Sequence, residues 1–183
     1  GPEAKLVGKT ARRGGLCVPT PLYKKSSISL TANVLTLSFA GNWALELIAR
    51  DDGVAYRFTI SFPEKTVKVT DETAGLELAG TDTVSYAGLA KDHFTSNESV
   101  YRKLRPSEWG AQTNSLFYAP LVAVYRDGTA LCVTESDTRS YPQLMFTGVS
   151  NRLESAFAKL PDPAADEDNG RKRLVKRTFD WIA

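Results

Sequence analysis

Val54-Ala-Tyr-Arg-Phe-Thr-Ile-Ser-Phe62 alternates a large apolar side chain with a small or polar one from end to end. Successive side chains of an extended backbone point to opposite faces, so Val54, Tyr56, Phe58, Ile60 and Phe62 share one face. Ala55, Arg57, Thr59 and Ser61 take the other. Asp51-Asp52-Gly53 supplies a turn just ahead of it, and the preceding stretch from Asn42 to Arg50 puts Trp43, Leu45, Leu47 and Ala49 together. Two period-two segments around such a turn predict a β-hairpin. At roughly 25 cal/mol per Å² of apolar surface removed from water, five large side chains on one strand contribute several kcal/mol once covered. The expectation is therefore a sheet-on-sheet core, with this face turned inward.

Working outward, Val34 to Phe39 alternates with Leu35, Leu37 and Phe39 on one face, and the β character begins at Leu16. Residues 1–15 are rich in Gly, Lys and Arg without periodicity and read as a flexible lead-in, leaving 16–183 as one β-sandwich domain. Pro63 closes the first hairpin, a shorter strand covers Thr66 to Thr70, and Asp71-Glu72-Thr73 with Gly75 and Gly80 reads as a loop. Residues 81–113 carry Tyr86, His93, Phe94, Tyr101 and Trp109 amid breakers, which predicts long loops joining short strands. Ser115 to Tyr125 and Thr129 to Thr134 flank Asp127-Gly128 as a second hairpin, with Pro120 expected at a strand start or edge. Leu153 to Leu160 and Lys172 to Trp181 read as strands around an exposed, acidic loop at 161–170. With no repeat, heptad or strong amphipathic helix, the class is an antiparallel, all-β sandwich.

The 183 residues suffice for one domain with a substantial core, and 42% hydrophobic with 24% charged residues is a globular balance. A net charge of +2 sets up no field for a polyanion, so nucleic acid is not implied. No apolar run approaches the roughly 20 residues of a membrane span. Cys17 and Cys132 lie far apart in strand-like stretches, without close Cys or His partners of the kind zinc requires, and are expected as buried free thiols rather than a disulfide. The Gly1-Pro2 start looks like a protease-cleavage remnant, compatible with prior removal of an export signal. Phosphate-cradling glycine loops, nucleophile elbows and His-Glu-x-x-His zinc motifs are all absent from the sequence.

One further stretch concentrates oxygen-bearing side chains at a strand end: Thr129-Ala-Leu-Cys-Val-Thr-Glu-Ser-Asp-Thr-Arg-Ser-Tyr-Pro-Gln-Leu-Met-Phe146. This run resembles the segment of glycoside hydrolase family 97 N-terminal domains that supplies a calcium-binding glutamate to the adjoining catalytic barrel. Ile48-Ala-Arg-Asp-Asp-Gly-Val-Ala-Tyr-Arg-Phe58, Ala119 to Thr129 continuing into Thr134-Glu-Ser-Asp137 and Tyr141-Pro142, and Arg177-Thr-Phe-Asp-Trp181 are similar to family elements in the same order. The resemblance spans roughly residues 27–183. It implies a β-supersandwich of the galactose-mutarotase type, packed on a C-terminal (β/α)₈ barrel of the same protein. Family domains carry several strands ahead of the position where this chain starts, so the sandwich is expected to lack its first strands or to diverge there. An open sheet edge and self-association through it would follow.

What the resemblance implies about function is specific. The intact enzyme would hydrolyse α-glucosidic or α-galactosidic bonds of an oligosaccharide, in the periplasm of a bacterium or outside it, while this chain alone would be inactive. Glu135 would be the metal residue, one ligand among several to Ca²⁺, which takes about six to eight oxygens. Calcium binding by the isolated chain would then be weak or absent. His93, Glu98 and Tyr101 lie in a run, 91–101, similar to a family loop near the domain interface; with Trp109, Asp137 and Tyr141 they are the candidate substrate-binding or interface residues. The solitary histidine argues against a mutarotase, which would use histidine together with a carboxylate. A different class of function is an independent carbohydrate-binding module, reading glycans through Trp43, Tyr86, Trp109 or Trp181.

Overall fold

The structure, a computed structural model, describes residues 4–20, 24–63, 66–68, 72–78, 80, 83–93, 95–136, 143–157, 160–161, 174–175 and 178–180. The chain divides into two compact units, one formed by Gly1–Lys65 with Asp180–Ala183 and the other by Thr66–Phe179. The described residues are predominantly antiparallel β-structure.

The first unit is a four-stranded meander of β1 (Leu6–Pro19), β2 (Ser27–Phe39), β3 (Trp43–Arg50) and β4 (Gly53–Ile60), paired in that order. The β3–β4 hairpin forms as expected, with Arg50 opposite Gly53 across the Asp51-Asp52 turn. The Arg50 guanidinium closes that turn by donating to both carboxylate oxygens of Asp52, at 2.7 and 3.0 Å. Arg57 pairs with Glu46 across the same two strands.

Two expectations are corrected here. The stretch from Leu6 to Gly15 is no lead-in: it belongs to β1, in register with β2 from Leu6 opposite Phe39 to Pro19 opposite Ser27. As an outer strand β1 takes its hydrogen bonds from β2 and needs no apolar alternation of its own. The alternating face of β4 is present but not in a core, since Val54, Tyr56 and Phe58 are 85%, 62% and 54% exposed. Taken by itself this unit is one layer, and a single sheet has nothing with which to cover its own face.

The second unit holds β5 (Thr66–Lys68), β6 (Gly75–Glu77), β7 (Val84–Ala90), β8 (Arg102–Leu104), a 3₁₀ turn (Pro106–Ala111), β9 (Leu116–Val124), β10 (Ala130–Val133), β11 (Leu144–Val149) and β12 (Arg152–Phe157). The short segments β13 (Leu160–Pro161) and β14 (Leu174–Val175) pair with each other, and β5 pairs with β15 (Thr178–Asp180). The main sheet runs β6-β12-β11-β9-β7-β8, with β10 also on β9. Most of the described buried core is here. Neighbours in sequence such as Phe117 and Tyr118, or Met145 and Phe146, are all buried, so this sheet is covered on both faces.

On one face Trp109 of the 3₁₀ turn lies edge-on to Phe117 and packs with Ala87, Leu104, Leu121, Phe146 and Leu153. Its indole N–H donates to the Ser85 hydroxyl at 2.9 Å, which donates in turn to the Leu104 carbonyl at 2.9 Å, so the buried polar atoms are satisfied. The opposite face carries the smaller cluster of Ala90, Tyr118 and Met145. Within 81–113, where long loops joining short strands are expected from the sequence, the short strand β8 is present, and β7 is an inner strand of seven residues.

Candidate functional site

The sheet's geometry singles out one place. Both β10 and β11 run antiparallel to β9, with Val133 opposite Leu121 and Met145 opposite Tyr118. They therefore point the same way, and together form a single interrupted strand beside β9. The gap between them falls at Ala119-Pro120, where β7 also shifts register between Tyr86 and Gly88. Proline has no N–H to give a ladder, so a break is the natural solution there. Pro120 thus sits inside an inner strand at an irregularity, and not at the strand start or edge expected from the sequence.

Residues 134–136 follow β10 on one side of this gap, and Gln143 precedes β11 on the other. Glu135, just beyond β10, places Oε1 2.8 Å from the N–H of Leu144, the first residue of β11, and accepts its hydrogen bond. A side chain thereby stands in for a strand partner. Burial pushes the Glu135 carboxyl above its ordinary value and the charge of Glu72 adds to this, while the Leu144 N–H pulls the other way. Glu72 is fixed nearby through its backbone, its carbonyl accepting from the Ser155 hydroxyl on β12 at 2.6 Å.

The loop 91–101 reaches the same region over the smaller cluster. The Tyr101 hydroxyl donates to the Pro120 carbonyl at 3.2 Å. Ser99 binds the Tyr118 hydroxyl through both its N–H, at 3.1 Å, and its Oγ, at 2.7 Å. His93 is half-buried, with Nδ1 3.2 Å from the Met145 sulfur. The Asn97 side-chain amide donates to Gln143 Oε1 at 3.1 Å, one residue ahead of Leu144. Glu135 and the loop residues His93 and Tyr101, which sequence reasoning singled out in two different runs, all address residues 118–120 or 144–145.

Other expectations fall elsewhere. Glu98 is on the loop with its side chain exposed. Trp109, expected as a substrate-binding or interface residue, is 0% exposed with its N–H donated to Ser85, and lies in the core rather than at the surface. Asp137, Tyr141 and Trp181 lie outside the described residues, as does most of the acidic loop at 161–170. Trp43 is half-buried and stacked on Phe39 with ring centroids 4.0 Å apart, and Tyr86 is half-buried on β7. Cys17 and Cys132 are free as expected but exposed, not buried, each lying on a strand flanked on one side only. Sequence reasoning did not single out Glu72, Asn97 or Gln143, although Asn97 and Gln143 lie within the two runs that resemble family segments.

Calcium can be tested against this arrangement. Hard cations take carboxylate oxygen, and a partly desolvated carboxylate with one oxygen fixed and the other uncommitted to any described hydrogen bond suits a ligand held in advance. Among the described residues no three His, Cys, Asp or Glu side chains gather as a metal group. Glu135 therefore fits as one contributor to a site, not as a site. No helix among the described residues is long and apolar enough to cross a membrane.

Comparison with known proteins agrees with this fold. The chain is 32% identical over 194 residues to a retaining alpha-galactosidase of Bacteroides thetaiotaomicron, covering 100% of this chain and 29% of that protein. It superposes with TM-score 0.70 on a glycoside hydrolase family 97 enzyme from Pseudoalteromonas sp. strain K8 in complex with acarbose, at 14% identity over 96% of this chain and 26% of the other. A beta-arabinopyranosidase aligns with TM-score 0.67 and 19% identity, over 96% of this chain and 30% of its own. The chain thus spans under a third of the length of these relatives, and its antiparallel β-architecture is the fold of a part of each. Residues 4–181 match the family described as Glycosyl-hydrolase 97 N-terminal, and the chain belongs to that family.

Proposed function

We propose that this domain braces a (β/α)₈ catalytic barrel of the same protein and presents Glu135 to a calcium ion at that barrel's active site, in an enzyme hydrolysing α-glycosidic bonds of oligosaccharides. The observation that carries the reading is the half-buried Glu135 carboxylate, held by the Leu144 N–H at the mouth of a strand break. The matched relatives are longer enzymes, one of them a retaining alpha-galactosidase, which supports an α-galactoside or α-glucoside as the substrate class. A periplasmic or secreted location belongs to the same reading.

The chemistry divides between ion and chain. Calcium bound at such a place would polarise a substrate oxygen or anchor a catalytic acid. Leu144 orients one carboxylate oxygen, leaving Oε2 for the ion, and burial beside Glu72 makes the bare negative charge costly. A cation would offset that cost, which supports the metal reading.

The test is calorimetric titration of calcium into the enzyme in which this domain is followed by its barrel. Glu135→Gln, which keeps the acceptor for Leu144 but removes the charge, should weaken calcium at least tenfold, or about the loss expected even for an indirect metal partner. Unchanged affinity would overturn the assignment. As for a free-standing glycan-binding module, the core burial of Trp109 removes one of the aromatic side chains on which that reading depended.

A further inference from the structure

We infer that Asn97 and Gln143 are positioning residues for Glu135: their side-chain hydrogen bond fixes the start of β11, and with it the backbone N–H that holds the carboxylate. As a statement about metal this rests on the reading above; as a statement about the carboxylate it does not.

The connection is short and continuous. Asn97 Nδ2 donates to Gln143 Oε1 at 3.1 Å, and the next residue, Leu144, donates its N–H to Glu135 Oε1 at 2.8 Å. Gln143 directly precedes Leu144 in the chain, so any shift at Gln143 is handed directly to the Leu144 N–H. The ladder cannot resist such a shift on the β9 side, because β11 pairs with β9 only from Met145 onward.

Asn97 itself is held in a defined state. Its φ is +58°, in the left-handed region that asparagine tolerates better than most residues, and its N–H donates to Thr95 Oγ1 at 3.1 Å. Two residues on, Ser99 is bonded to the Tyr118 hydroxyl, and Tyr101 to the Pro120 carbonyl. The loop is thereby anchored to β9 independently of Gln143, and Asn97 extends from that anchor to β11. An exposed loop that forms only its own turn would need no such bond across 46 residues.

The experiment uses amide hydrogen exchange of the whole chain, without metal. Asn97→Gly keeps the positive φ and removes the donor; Gln143→Met keeps the side-chain length and removes the acceptor. Either should speed exchange of the Leu144 amide roughly threefold to tenfold, the range for losing one net hydrogen bond. Exchange at Ser155, whose N–H donates to the Ala74 carbonyl at 2.8 Å on the far side of β11, should not change. Unaltered Leu144 exchange in both variants would overturn the inference, and so would acceleration shared equally by Ser155, which would mean general loosening. In the barrel-containing enzyme the two variants should weaken calcium about threefold to tenfold by calorimetry, in parallel with their Leu144 exchange. If Glu135→Gln leaves calcium affinity untouched while both variants speed Leu144 exchange, the metal reading fails and the positioning stands.

Discussion

Glu135 and Leu144 meet end to end across the gap in a strand, the carboxylate accepting at 2.8 Å the N–H that begins β11. The bond has two consequences that different substitutions separate. Glu135→Ala leaves a partly buried N–H without its acceptor and should cost about 1–3 kcal/mol. Glu135→Gln retains an oxygen at the same place and should cost well under that. Equilibrium urea unfolding of the two variants checks the order, and equal losses would mean that Leu144 gains nothing from the bond.

The charge on Glu135 gives a pH dependence with a definite sign. Its folded carboxyl titrates above the ordinary value of 4.5, through burial first and the charge of Glu72 second, against the opposing pull of the Leu144 N–H. Between the unfolded and folded values the native state holds more protons than the unfolded chain, so stability falls as pH rises through that window. Below the unfolded value the contribution is fully favourable, and above the folded value it is lost. Glu135→Gln should therefore gain on the wild type from about pH 4.5 upward and then run parallel to it. Urea midpoints measured across pH 4 to 8 decide this, and a constant offset at every pH would contradict it.

Tyr118 is the anchor of the loop 91–101. Its hydroxyl meets the N–H and the Oγ of Ser99, and its ring lies edge-on to Tyr101 with centroids 6.5 Å apart. Tyr118→Phe keeps the ring and removes the hydroxyl, and should cost about 1–2 kcal/mol. Exposed Val100, Tyr101 and Arg102 should then be cut sooner under limited proteolysis, chymotrypsin at Tyr101 being the direct readout. A cleavage rate like that of the wild type would show the loop to be held without the hydroxyl.

The legible parts of the fold were those whose residues declare their own geometry. The β3–β4 and β9–β10 hairpins follow from Asp51-Asp52-Gly53 and Asp127-Gly128, where the Asp127 carboxylate accepts the Thr129 N–H at 2.9 Å. Covered on both faces, β7 shows no alternation, and Val84-Ser-Tyr-Ala-Gly-Leu-Ala90 stays small where Trp109 and Tyr118 lie against it. The β1 strand, with Arg12, Arg13, Gly14 and Gly15 at its middle, is a strand because β2 offers it a ladder, which no local pattern reveals. Glu135 came from resemblance to a family and not from spacing. Asn97, Gln143 and Glu72 matter only through partners distant in sequence, and no single stretch carries that information.

Gly148 provides the sharpest test of how the core is closed. A Cβ there would lie 2.1 Å from the Trp109 carbonyl oxygen and 2.5 Å from its carbon, both backbone atoms that no rotamer change can move aside. The 3₁₀ turn presses on β11 at this point, and Gly110 donates its N–H to the Ser150 carbonyl at 2.9 Å to hold it there. Gly148→Ala must therefore push the turn outward and lift the fully buried Trp109 from its pocket, at a cost of about 3 kcal/mol or more. Gly53→Ala is the control, since nothing lies within 4 Å of a Cβ at that position. It should shift stability by no more than about 0.5 kcal/mol. Tryptophan fluorescence during urea unfolding reports both, and comparable midpoints for the two variants would mean that the turn does not pack on β11 as closely as the backbone distances require.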